Sequence, residues 1–415
     1  MNLSGFDLSL ADFYLGHDTD PLKTPDGFTD WRQATLKYQS LYERRLLQAT
    51  SAHTAIETLG GAKKIINMAS LDYLGLCSHP ELIRVHQQAL EQWGNGAGGV
   101  PLLSGMCKTH ESLEQRVSQL TNQDSTQLYS SGFAAAIGFA VALLRKSDIA
   151  ICDQRAHISW MDGIKMSGAS LVTFQHNDIQ DLDRLLGKYK DRRRVVIVDG
   201  LYSMDGDYAN LPEILTVTEK YGVGVVVDEA HSIFAAGENG GGAVEHFGVQ
   251  ERVSMVMGTF SKALGFVGGF LSSSKEIIDY LRFYSHPYVF SSAIPPAMAA
   301  TIHAAIDFSA NNKLLREKLW DNADYFRSEL KKLGFNIGTS ESWVVPIILG
   351  NNRELLYESV LHLEQRGLYV APVDYPAVSE DQIRIRTAVS AAHNKEDLDL
   401  ALGLLEETLV KPFKS

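Results

Sequence analysis

Between about residues 62 and 305, short β-branched runs alternate with stretches of helical periodicity. TQLYSS, DIAICD, SLVTFQH, VVIVDG, GVVVDEA, MVMGTF and GGFLSSS read as strands, and such alternation predicts an α/β fold with a mainly parallel sheet. The most apolar stretch, Phe133 to Leu144, runs about 12 residues against the roughly 20 needed to span a bilayer, so it predicts a buried helix. Farther on, Leu315, Leu319, Ala323, Phe326, Leu330 and Leu333 recur at spacings of three or four, with Gly334 as a stop signal, and predict one long amphipathic helix over 313–333. It opens a C-terminal region in which VVPIIL, LYVAPV and IRIRTAVS read as strands. A last helix starts near 395, where Asn394 is placed to cap it. The first sixty residues, as in DWRQATLKYQSLYERRL, are polar and helix-prone and contain no run apolar enough for a core. The expected organisation is therefore an arm over 1–61 that packs on something else, a large domain over 62–305 and a smaller α/β domain over 306–415. No internal repeat interrupts it, and no Pro/Ser-rich linker marks the last boundary.

A length of 415 residues suits a large domain plus a smaller one, and 45% hydrophobic with 21% charged residues is ordinary globular composition. The formal net charge is -12, and the longest basic run, Arg192–Arg194, is preceded by Asp191, which argues against nucleic acid as a partner. Cys77, Cys107 and Cys152 lie far apart without CxxC or Cys/His spacing. That argues against a disulfide framework or a metal site and fits reduced thiols in a cytoplasmic protein. The beginning, MNLSGFDLSLADFYLGHD, has no basic segment leading into an apolar one, so neither a secretion signal nor an integral membrane segment is expected.

Three segments carry candidate chemistry. GVGVVVDEAH, residues 222–231, ends an apolar strand in Asp228 and His231, and open α/β sheets bind ligands outside the carboxyl ends of their strands. An aspartate capping the next turn explains the same pattern equally well. DEAH as a helicase signature fails because no GxxxxGK[ST] loop precedes it. MVMGTFSKALG, residues 255–265, ends another strand in Thr259, Ser261 and Lys262. Lysine is the residue that forms Schiff bases with carbonyl cofactors, although a lone lysine is ordinarily a solvated surface charge. LYSSGF, residues 128–133, turns a strand into a helix through Ser131, Gly132 and Phe133. The N–H groups at such a helix start make an anion site that fits a phosphate; a plain β–α turn with a serine cap is the alternative.

Taken together, the chain resembles the α-oxoamine synthases, a fold-type-I family dependent on pyridoxal 5'-phosphate (PLP). The resemblance runs from about residue 65 to 405. Its matching segments are DYLGL, the GAGGVPLLSG glycine stretch, YSSGF, AHISWMDG, LYSMDGD, VDEAHS, GTFSKALG, PYVFSSAIPP and RIRTAVSAAH. It implies a large domain built on a mainly parallel seven-stranded sheet, and a reaction that joins an amino acid to an acyl-CoA or carrier-bound acyl group with loss of carbon dioxide. The resemblance makes Lys262 the lysine linked to the cofactor and Asp228 the partner of the pyridine nitrogen. It sets His231 and Ser203 near the phenolic oxygen. Ser131, Gly132 and Phe133 look like the phosphate turn, assisted by Thr259 and Ser261. His157 corresponds to a histidine that stacks on the ring, and Arg386 to the arginine that grips the substrate carboxylate, a pairing guanidinium geometry favours. Ser291 and Ser292 resemble residues that reach the phosphate of a neighbouring subunit, so the resemblance implies a homodimer with shared sites. His157 as a core histidine, Arg386 as an interface ion pair and Ser203 as a turn residue are the structural alternatives.

Two positions depart from the family pattern near its amino-acid pocket. Leu71 stands where many relatives have Asn before DYLG, and Val100-Pro101 where Thr/Ser-Arg is common. HNDIQDLDRLLGK, GTFSKALGFVGGF and LYVAPVDYPA look closest to the serine palmitoyltransferase branch and favour serine, with alanine or glycine as the other amino acids. AHIS in place of HAS, followed by Trp160, points instead to an autoinducer or secondary-metabolite synthase. A fold-type-I aminotransferase would use the same Lys262 and Asp228. An inactive partner subunit is opposed by the retention of Lys262, Asp228 and His231.

Overall fold

The computed structural model describes residues 8–13, 20–58 and 60–410. These fall into two compact units. One comprises Leu71–Ser203 and Asp207–Lys318; the other comprises the residues up to Ser70, Met204–Gly206 and the chain from Leu319 onward.

The first unit is built on seven strands: β1 (Ser125–Tyr129), β2 (Ile149–Asp153), β3 (Ser170–Phe174), β4 (Arg194–Asp199), β5 (Val225–Asp228), β6 (Met255–Thr259) and β7 (Gly269–Ser273). They lie in the order β1-β7-β6-β5-β4-β2-β3. Strands β2 to β6 pair in parallel, and β7 runs antiparallel to both β6 and β1. All seven strands read from the sequence are present, in the fold-type-I arrangement the resemblance implied. The VVVD and MVMGT strands are buried at every position, as expected where both faces of a parallel sheet are covered.

Helix α1 (Gly132–Leu143) follows β1, and α2 (Ile158–Ser167) follows β2. Ala136, Phe139 and Ala140 of α1 and Trp160 and Ile164 of α2 share one core cluster with Ile197, Val226, Met257 and Leu271 of the sheet. An apolar sequence such as GFAAAIGFAVAL suits a helix surrounded by protein. Gly163 lets α2 approach closely, because a Cβ there would sit 3.0 Å from Ala140 Cβ.

In the other unit, His53–Thr58 and Gly61–Asn67 form an antiparallel hairpin. Leu368–Tyr369 adds a parallel strand to it, Leu368 opposite Ile66. A second sheet joins Val344–Gly350, Ile383–Ala388 and Ala371–Val373, all antiparallel. LYVAPV is thus two short strands in two sheets, because the backbone changes partner at Val370. Among the described residues of the first sixty, the helix-prone reading holds as α-helix for Phe28–Ala34 and Leu36–Gln39. Residues 45–46 and 53–58 are strands, since Gly61–Asn67 supplies a pairing edge that local propensity does not reveal. Arg44 ties this segment to the C-terminal part through a bidentate ion pair with Glu364 at 2.6 and 2.9 Å, both side chains 4% exposed. The last helix, Lys395–Leu409, is capped as expected: Asn394 Oδ1 accepts from Asp397 N at 2.8 Å and Asp397 Oδ2 from Asn394 N at 2.9 Å.

Among the described residues no helix is long and apolar enough to cross a membrane, and no cluster of three or more His, Cys, Asp or Glu side chains is arranged for a metal ion. The three cysteines are unbridged.

Candidate active site

The parallel strands deliver a row of polar groups at their carboxyl ends. Asp228 closes β5 and is buried; its Oδ2 accepts from Trp160 Nε1 at 2.8 Å and its Oδ1 from Ala230 N at 2.9 Å. These two donors fix the plane of the carboxylate. Beside it in register, Asp199 closes β4. Burial, and then the charge of Asp228, hold Asp199 well above the usual carboxylate range, favouring its protonated form.

His157 stands just before α2, with Nδ1 2.8 Å from Ser159 Oγ, and its main-chain N–H donates to Asp199 Oδ1 at 3.3 Å. Although the residue is exposed overall, desolvation around its ring, aided by the Lys262 charge, outweighs the pull of Asp228 and lowers its pKa. The imidazole is neutral at pH 7. Lys262, three residues beyond β6 and partly buried, exerts its charge on both His157 and Asp199. His231 is buried with Nδ1 2.7 Å from the hydroxyl of the fully buried Tyr73.

The Ser131-Gly132-Phe133 turn meets the Thr259–Lys262 turn. Ser131 Oγ caps α1 by accepting from Ala134 N at 3.0 Å. A Cβ on Gly132 would lie 3.1 Å from Thr259 Cβ, and one on Gly269 only 2.5 Å from Gly132 N. Thr259 Oγ1 donates to Gly268 O at 2.7 Å and lies 2.9 Å from Ser261 Oγ. The result is a helix N-terminus, hydroxyls and a lysine gathered from distant sequence.

The remaining expected residues sit elsewhere. Ser203 is half-buried in the loop after β4. Ser291 and Ser292 belong to a surface segment in which Phe290 is 79% exposed, tied by Ala293 N to Gly99 O at 3.0 Å. Val100 O is the pivot of the glycine stretch, accepting from Leu103 N at 3.1 Å and Gly105 N at 2.9 Å, and Leu71 is half-buried. Arg386 lies in the other unit, on strand Ile383–Ala388, with a guanidinium nitrogen 3.9 Å from Met204 Sδ. Its neighbour Arg384 is buried and bound to Asp205 Oδ1 at 2.8 Å and Met204 O at 3.0 Å. Within this unit Arg384 therefore supplies a structural ion pair, the kind of role that was the alternative for Arg386.

Sequence reasoning passed over Trp160 as a donor to Asp228, Tyr73 as the partner of His231, and Asp199 beside Asp228 in register. Asp199 was the most accessible of the three, since it ends VVIVDG just as Asp228 ends GVVVDEA.

The aminotransferase class I and II family matches residues 63–405. The 8-amino-7-oxononanoate synthase of Thermoanaerobacter pseudethanolicus is 38% identical over 393 residues, 94% of this chain and 97% of its own. The chain belongs to the α-oxoamine synthases of this family. As such it is a PLP-dependent acyltransferase. The synthase is also 39% identical to 8-amino-7-oxononanoate synthase 1 of Bacillus subtilis, over 83% of this chain and 88% of that one. Serine palmitoyltransferase from S. paucimobilis, solved with a PLP adduct of myriocin, superposes with a TM-score of 0.87 at 31% identity, over 92% of this chain and 96% of that one. The Sphingomonas wittichii serine palmitoyltransferase gives 0.88 at 31%, with the same coverage. Relatives of both names support the shared condensation and do not select serine.

Proposed function

We propose that this synthase joins a small amino acid to an acyl-CoA, or an acyl group on a carrier protein, releasing carbon dioxide and the thiol and leaving an α-amino ketone. The observation that carries the reading is the placement of Lys262, whose charge bears on His157 and Asp199 at the strand ends that also present Asp228.

The residues fit PLP on their own geometry: a clamped buried carboxylate suits a protonated pyridine nitrogen, and a turn with no room for side-chain carbons at Gly132 and Gly269 suits a phosphate lying close to the backbone. When bound, PLP supplies an electron sink for negative charge at the substrate Cα. Asp228 accepts the hydrogen bond of the pyridinium N–H. The Gly132 and Phe133 N–H groups, with the hydroxyls of Ser131, Thr259 and Ser261, hold the phosphate at the start of α1. His157 offers an uncharged ring for stacking, and His231, oriented by Tyr73, faces the phenolic oxygen together with Ser203. Lys262 carries the cofactor and then takes the Cα proton. Arg386 grips the carboxylate, so that the bond to be broken is held in the reactive orientation. Ser291 and Ser292 reach the phosphate of a second copy, which makes the active form a homodimer with shared sites, and we place it in the cytoplasm.

Serine was the first choice from sequence resemblance. Leu71 and Val100, as apolar walls of the amino-acid pocket, offer no side-chain partner for a serine hydroxyl and move alanine and glycine ahead of it. The test is an absorbance titration of PLP-loaded protein with glycine, alanine and serine, followed by an acyl-CoA panel with assay of thiol and carbon dioxide. Release of both with one amino acid supports the condensation and names its substrates. Conversion of the cofactor to its amine form without a thioester identifies an aminotransferase, and absence of bound PLP removes the role of Lys262.

A further inference from the structure

Beyond the cofactor residues, His176 and Asn177 follow β3 and bind the chain where it re-enters this unit at Asp207, while the His176 ring stands against Tyr202, just before the chain leaves this unit after Ser203. His176 Nδ1 lies 3.0 and 3.1 Å from the two carboxylate oxygens of Asp153, and Nε2 lies 3.0 Å from Asp207 Oδ2. The three side chains are 10%, 0% and 8% exposed. Carboxylate oxygens only accept, so a ring with a carboxylate at each nitrogen is satisfied only when both nitrogens carry protons. The ring also stands edge-on to Tyr202, centroids 4.5 Å apart. Asn177, at φ +55°, completes the staple: its N–H donates to Asp153 Oδ2 at 3.0 Å, its Nδ2 to Tyr208 O at 2.9 Å, and its Oδ1 accepts from Asn210 N at 3.0 Å. Tyr202 N donates to Asp207 O at 2.9 Å across the same loop.

We propose that His176, as an imidazolium shared by Asp153 and Asp207, is a positioning residue that sets the place of Ser203 in the cofactor site. The inference rests on the function proposed above, in which Ser203 faces the phenolic oxygen of PLP. The titratable groups facing the ring are Asp153 from β2 and Tyr202 and Asp207 from the loop. Asp199, which feels the charge of Asp153, is held well above the usual carboxylate range by its own burial. Burial alone would lower the pKa of His176, but the two carboxylates outweigh it and raise it to about 9. The staple is therefore intact at neutral pH and released only as the pH passes that value.

Nitrogen-15 NMR of the histidines in apo protein is expected to find His176 cationic at pH 7 with a midpoint near 9, lowered in D207N. In the PLP-loaded enzyme H176Q is expected to shift the pH midpoint of the cofactor absorption band and to raise the amino-acid KM about tenfold, the size of losing one charge-assisted hydrogen bond at a site. S203A should produce the same band shift, with no further change in the double variant. A neutral His176 at pH 7 overturns the proposal. So does an H176Q protein that unfolds more easily while keeping the wild-type band and KM, since that describes a purely structural residue. Failure of the wild type to hold PLP overturns the cofactor reading and the role of Ser203 with it; the apo NMR then still reports separately whether the bridge exists.

Discussion

Replacing Gly269 by Ala tests whether the turn proposed to hold the phosphate is built by backbone packing. A Cβ at this position would lie 2.5 Å from Gly132 N and Ser131 C and 2.6 Å from Ser131 O, all main-chain atoms that no rotamer change can move. The strand cannot retreat, because Gly269 is paired with Tyr129 on one side and Thr259 on the other. Relief of the clash requires the start of α1 to shift by roughly an ångström. Overpacking of this kind costs about 3 kcal/mol, at the upper end of the usual range. The shift would also misplace the N–H groups assigned to the phosphate, and PLP affinity should fall about a hundredfold, as for a comparable displacement of a binding group. Gly403, in the Lys395–Leu409 helix, has no atom within 4 Å of an added Cβ and serves as the control. G403A should stabilise by about 0.5 to 1 kcal/mol through the loss of glycine's backbone freedom in the unfolded chain. Urea unfolding followed by circular dichroism, with PLP titration by absorbance, measures both variants. A G269A protein within about 0.5 kcal/mol of wild type and with unchanged PLP affinity would refute the reasoning.

Three further outcomes are expected. W160F removes one of the two donors that fix Asp228 and should cost about 1.5 to 3 kcal/mol, the value of a hydrogen bond to a charged group, read as easier unfolding together with weaker PLP binding. D199N should grow more stable relative to wild type as pH rises. The unfolded chain ionises Asp199 above about pH 4, whereas burial makes the folded one hold its proton to higher pH, so wild type loses stability that the amide does not; urea midpoints from pH 5 to 8 that stay parallel would contradict this. R44A leaves Glu364 as a buried carboxylate without its guanidinium and should destabilise the unit containing both by about 3 to 5 kcal/mol, whereas the double replacement R44M/E364L should recover most of that loss in the same melt.

The parts of the fold legible in the sequence are those whose signal is local. A strand covered on both faces declares itself by continuous β-branched residues, and VVVD and MVMGT did so. The Asn394 cap and the helix over Lys313–Lys332 were equally plain. What was hidden depends on partners far along the chain. HTAIET becomes a strand only because Gly61–Asn67 and, beyond it, Leu368–Tyr369 pair in one sheet, and LYVAPV splits because its two halves find different sheets. The same holds in the site. Lys262, Asp228 and His231 could be named from strand-end motifs, while the Trp160 indole, the Tyr73 hydroxyl and the His176 bridge act through side-chain directions that no spacing encodes.

This difference explains why the reaction class is plainer than the substrate. The groups assigned to the cofactor are held by sheet register: Asp199 lies opposite Asp228, and Thr259 opposite Gly269. The charges of Asp228 and Lys262 both bear on His157 and Asp199, an arrangement that any amino acid entering PLP chemistry can use. On the function proposed above, discrimination among amino acids would fall instead to Leu71 and the Val100 turn, where one hydroxyl or methyl would decide. An apolar wall separates such ligands by only about 1 to 3 kcal/mol, whereas a polar wall built to bind the hydroxyl discriminates far more strongly. Restoring a polar side chain with L71N should therefore raise kcat/KM for serine relative to alanine. An unchanged ratio would remove Leu71 from the pocket and leave the cofactor assignments untouched.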